Sequence, residues 1–172
     1  MTAPPAFGAR NESVATRRNA SEWTLWAVAL SCALHAAEEF LTGWQQWAPQ
    51  ALGIVMPTAT FLVMNAVLVL VALRLARYGW RRPALSLIVP AATLVNGIFF
   101  HLLPTVVQGH RSPGVYTAVL LYLPFSTGAL VGAARDGVPP RAILTAVAAG
   151  TLLMTGIVLA ARGWTDLAPV SP

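Results

Sequence analysis

From the amino end onward, the chain alternates long apolar runs with short polar breaks. Windows of about 20 mostly apolar residues recur five times, at residues 23–41, 58–75, 84–103, 115–134 and 143–161, each long enough to carry an α-helix through a hydrocarbon core. The breaks are rich in turn residues: "GWQQWAPQALGIVMP" after the first run, "RYGWRRP" after the second, "GHRSPG" after the third and "RDGVPPR" after the fourth. Pro83 opens the third helix at a position that needs no backbone donor. The pattern predicts an all-α polytopic membrane bundle of five transmembrane helices. It forms one domain over residues 21–164, after a flexible polar tail (1–20) and before a short carboxyl-terminal tail (165–172). On the fifth helix, Ala146, Gly150, Thr151 and Thr155 predict close packing against a neighbour.

Composition agrees with a membrane location. The 172 residues are 56% hydrophobic and 10% charged, against about a quarter charged in soluble domains. All eleven basic residues are arginine, and nine of them (Arg10, Arg17, Arg18, Arg74, Arg77, Arg81, Arg82, Arg135, Arg141) fall in breaks on one side, leaving Arg111 and Arg162 on the other. By the positive-inside rule the amino terminus is cytoplasmic and the carboxyl terminus outside, as expected of a multi-pass plasma-membrane protein. No basic cluster interleaved with aromatics speaks for nucleic acid. The first run begins too late for a cleaved signal and reads as a retained span. Cys32 is the only cysteine, so no intrachain disulfide forms. Trp44, Trp47, Tyr78 and Trp80 are placed as interfacial anchors, and Glu22, His110 and Asp166 as solvated boundary groups.

Against this background "LSCALHAAEEFLTGW" stands out, because it sets His35, Glu38 and Glu39 inside the first span. At 100° per residue Glu38 lies about 60° to one side of His35 and Glu39 about 40° to the other, so all three share one half of the helix. Ionisable groups within a span cost about 2.5–3.5 kcal/mol each on insertion scales and turn towards a partner or cavity. The partner expected is His101. It lies about 27 Å along the third helix and Glu38 about 24 Å along the first, which runs the same way, so both reach the outer layer. Asn96, about 140° from His101 on an ideal helix, need not share its face. Asn65, Tyr116, Thr117 and Tyr122 reach the same layer from the neighbouring helices, Gly97 leaves room beside the imidazole, and Cys32 lies one turn before His35.

"HAAEE" at 35–39, "NGIFFH" at 96–101 and "RSPGVYTAVLLYLP" at 111–124 resemble the HXXEE-domain family of small bacterial and archaeal membrane proteins. The resemblance runs from the first span to the fourth and implies functional positions at His35, Glu38, Glu39, Asn96 and His101. It implies an enzyme without assigning a reaction. Arg111 stands where the family's turn usually has tyrosine, which would pass any proton-donor role to Tyr116 or Tyr122.

Three uses of the constellation stay open. His35, Glu38, Glu39 and His101 suit one divalent transition metal, zinc, iron or manganese, with positions left for water or a hydrophobic substrate. Without metal, Glu38 and Glu39 would share a proton and act with Asn96 and Tyr122 as acid and base in an isomerase or cyclase of an isoprenoid, sterol or polyketide. In the third reading the cluster is a proton or cation site in a carrier subunit. No serine-hydrolase motif, phosphate loop or nucleotide fingerprint appears.

Overall fold

A computed structural model describes residues 20–167. Most of the expected amino-terminal tail, with Arg10, Arg17 and Arg18, lies outside the described residues, as do residues 168–172 and the side chain of Asp166. The described chain is all α. Helix α1 is Trp23–Leu41, α2 Trp44–Leu52 and α3 Thr58–Ala76. A 3-10 turn at Gly79–Arg81 leads into α4, Pro83–Gln108. Helix α5 is Val115–Arg135, and α6 is Pro140–Leu167.

Among the described residues four helices are long and apolar enough to cross a membrane: α3, α4, α5 and, within α6, Pro140–Gly163. The chain is therefore a multi-pass helical membrane protein. Helix α1 matches α3 in length at 19 residues but not in apolarity, because His35, Glu38 and Glu39 occupy its last two turns. It packs against α3 and α5, and α4 packs against α5 and α6. The core forms three layers along the bundle, centred on Leu25, Leu87 and Ala129 at one end, on Val28, Cys32 and Tyr122 in the middle, and on Trp44, Ile54 and Phe61 at the other end. A buried Thr93–Ser126 hydroxyl pair, 2.7 Å apart, joins α4 to α5, as polar groups do between helices in lipid.

Two expectations about the ends are corrected. Glu22 is held, not solvated: its carboxylate accepts the Trp80 N–H at 2.6 Å. Asp136 accepts the Trp80 indole N–H and the Ser21 N–H, each at 2.9 Å. Trp80 thus ties the turn after α3 to the start of α1 and to the turn after α5. The loop after α1 contains helix α2, whose positions 44, 47, 48, 51 and 52 repeat at the spacing of an apolar face. Trp44 and Ala48 are buried, and the Trp44 ring stacks on Phe61 at 5.3 Å instead of standing in the headgroup layer. The last helix ends at Leu167.

The small residues of α6 do pack closely. A methyl group at Gly150 would lie 2.6 Å from the Ile88 carbonyl oxygen and 2.7 Å from Ala91 Cβ, so the α4–α6 seam requires glycine there.

Prolines account for the irregular stretches of α4 and α5. A proline donates no N–H to the carbonyl four residues earlier, and its ring collides with that carbonyl. Pro90 acts on Ser86, where α4 is interrupted at Leu87. Pro104 acts on Phe100 within a π-helical segment, Asn96–Leu102, and Pro124 acts on Leu120 within a second, Ala118–Tyr122. A π turn closes from i to i+5, which brings His101 round towards the face of Asn96. The 140° separation expected on an ideal helix is corrected accordingly, and both residues line one cavity.

Candidate metal centre

Three side chains from two helices meet at the Trp44 end of the bundle. His35 and Glu39 are i and i+4 on α1, hence stacked on one face, and His101 comes from the π segment of α4. They are 3%, 7% and 1% exposed. The two Nε2 atoms are 3.1 Å apart, and Glu39 Oε1 is 3.6 Å from that of His35 and 3.5 Å from that of His101.

The opposite ring nitrogens each face a hydroxyl. Thr117 Oγ1 lies 2.8 Å from His35 Nδ1 and 3.2 Å from the Gly114 carbonyl oxygen; when it donates to the carbonyl, it accepts from Nδ1–H. Ser112 Oγ lies 3.1 Å from the His101 carbonyl oxygen and 3.3 Å from His101 Nδ1, and when it donates to the first it accepts from Nδ1–H. A neutral imidazole with its proton on Nδ1 has only a lone pair on Nε2. With both imidazoles in that form, two lone pairs and a carboxylate oxygen face one another. One point lies about 2.0 Å from all three atoms, which is the bond length of zinc to imidazole nitrogen and carboxylate oxygen. The group fits a divalent transition metal, with hydroxyl partners behind each imidazole of the kind that orient metal-bound histidines.

Glu38 is not a member, which corrects the expected four-ligand set. Its Oε1 accepts the Tyr116 N–H at 3.1 Å and its Oε2 the Thr117 N–H at 2.7 Å, two of the donors left free at the start of α5. The positive end of that helix offsets its charge. The adjacent carboxylates thus serve different partners and share no proton.

Gly114 explains the "SPG" turn. Its φ is +87°, and a methyl group there would lie 2.8 Å from His35 Cε1, 2.9 Å from Glu39 Cγ and 3.0 Å from His101 Cε1. The bare backbone is what lets the turn press against all three side chains. Reading the sequence missed this contact and the role of Ser112; the signal was the small-residue turn just ahead of a helix.

The other expected residues divide by position. Tyr122 is buried with its ring 4.4 Å from that of His35. Asn96 and Asn65 line the cavity beside the triad, and the Asn65 Nδ2 donates to the Phe61 carbonyl. Cys32 is buried in the middle layer and lies outside the triad. Tyr116 is exposed, and Arg111 lies over its ring at 5.5 Å. The departure from tyrosine at position 111 therefore falls outside the cluster. His110 is exposed, as expected.

Fold and site together define a multi-pass helical membrane protein with a buried His/His/Glu cluster able to coordinate a metal. The chain belongs to the HXXEE family: residues 26–129 match the family described as "protein of unknown function with HXXEE motif". No curated protein and no solved structure matches it.

Proposed function

We propose that this protein is a membrane enzyme that binds one divalent transition metal through His35, Glu39 and His101 and acts on a hydrophobic substrate in the adjoining cavity. The observation that carries this reading is the convergence of His35 Nε2, His101 Nε2 and Glu39 Oε1 within 3.6 Å of one another, with a hydroxyl at the far nitrogen of each ring. A bound zinc, iron or manganese ion would supply Lewis acidity and an activated water. The chain's own part is to hold the imidazoles by Thr117 and Ser112, to shield His35 with Tyr122, and to present Asn96 to the substrate.

In this reading α1 is a fifth span of one domain over residues 21–164, between the two tails. Its 19 residues rise about 28 Å, and the basic residues Arg74, Arg77, Arg81, Arg82, Arg135 and Arg141 cluster at the Trp80–Asp136 end. That asymmetry supports a cytoplasmic amino terminus, an external carboxyl terminus and a metal centre near the outer face.

A second reading rests on the 3.1 Å separation of the two Nε2 atoms, which also suits one proton held between them beside Glu39. The site would then be a metal-free acid–base pair of an isomerase or cyclase. Elemental analysis of protein purified in mild detergent without chelator separates the two. The metal reading expects near-stoichiometric zinc, iron or manganese that is lost on chelation, regained from a single metal, and missing in folded His35→Ala. No metal after reconstitution would favour the proton pair.

A further inference from the structure

The cavity beside the triad has a volume of about 150 Å³, which encloses a molecule of about the size of benzene, whereas sites that enclose a whole drug-sized ligand run to about 300–1,000 Å³. Only the head of a lipid-like molecule fits inside. The cavity is only partly enclosed. Helices α3 and α6 form two of its walls. Met64 of α3 and Leu153 of α6 line it and are 38% and 42% exposed.

The cavity carries one unmet polar demand besides the triad. Asn96 Oδ1 is buried without a hydrogen-bond partner, and its Nδ2 has only the Met154 sulfur at 3.9 Å. An amide oxygen only accepts. The group that satisfies it must donate, and a pure hydrocarbon would leave it unpaired in apolar surroundings, which is unfavourable.

We propose that the site takes a single-chain amphiphile head first between α3 and α6, with a hydroxyl on the head donating to Asn96 Oδ1 and the tail trailing between Met64 and Leu153 into the bilayer. This names the substrate class of the enzyme proposed above. It rests on that reading for the chemistry that follows binding, but not for binding itself.

The test uses the full chain in lipid nanodiscs and a dodecanol carrying a diazirine near the tail end, with cross-linked peptides mapped by mass spectrometry. Label is expected on α3 and α6 around Met64 and Leu153. Unlabelled 1-dodecanol should compete about tenfold better than dodecyl methyl ether, which has the same tail and no donor, the ratio expected for one buried hydrogen bond. Asn96→Leu should erase that preference. The double variant Met64→Trp, Leu153→Trp should abolish the label and keep its metal content. Label spread over all lipid-facing helices, or equal competition by the ether in the wild-type protein, would overturn the proposal, and the wild-type comparison needs no variant to fold. Specific label without any bound metal would sink the metal reading and leave this one standing; bound metal with unspecific label would do the reverse.

Discussion

Glu38 and Glu39 are neighbours in sequence and have separate partners: Glu39 Oε1 completes a triangle with two imidazole nitrogens, while both oxygens of Glu38 hold backbone N–H groups at the start of α5. One carboxylate serves the cavity. The other fixes α1 against the helix that begins beside the site, and its charge is met by that helix end.

Glu38→Gln therefore weakens the fold more than the centre. Replacing a charge-assisted cap by a neutral amide should cost about 1–2 kcal/mol. Thermal unfolding in detergent should show a midpoint several degrees lower, with metal content retained.

The hydroxyls behind the imidazoles should tune affinity. Thr117→Val keeps the N–H that Glu38 accepts but removes the acceptor for His35 Nδ1–H, and Ser112→Ala does the same for His101. Each should weaken metal binding about 10–100-fold, measured by competition with a chromophoric chelator. An unchanged affinity in both would mean that these hydroxyls do not orient the rings.

Gly114→Ala should damage both fold and centre. An L-residue at this φ costs about 1–2 kcal/mol, and the methyl group meets His35, Glu39 and His101 at 2.8–3.0 Å. Melting and metal analysis of the same preparation should both fall, which distinguishes it from Glu38→Gln.

Two glycines of α6 should respond in opposite ways. Gly150→Ala drives a methyl group into the backbone of α4, whereas a methyl group at Gly156 meets nothing within 4 Å. The first should lower the unfolding temperature. The second should leave it unchanged or raise it, since alanine is favoured over glycine in a helix by about 1 kcal/mol.

Much of this was legible in the sequence because hydrophobic run length and helical spacing are local. The spans now called α3, α4 and α5, the pairing of His35 with His101 across two helices, and the packing face with Gly150 all followed from period and depth. What did not follow depends on backbone detail. Asn96 joins the cavity because Pro104 widens the helix into a π turn, and ideal-helix angles miss that. Glu38 leaves the ligand set because the start of α5 lies beside it, which no spacing in α1 reveals. Helix α2 falls in a break between apolar runs, too short to count as a span, although the glycines at its ends and its apolar face are visible in the sequence. The contact of Gly114 needed three dimensions.

The measurement closest to the central claim is metal content in Glu39→Gln beside Glu38→Gln, each purified without chelator, loaded with one equivalent of zinc and checked for folding by thermal unfolding. If His35, Glu39 and His101 form the centre, Glu39→Gln loses the bound zinc and Glu38→Gln keeps it near one per chain. Equal loss in both folded variants, or full retention in Glu39→Gln, would contradict the account.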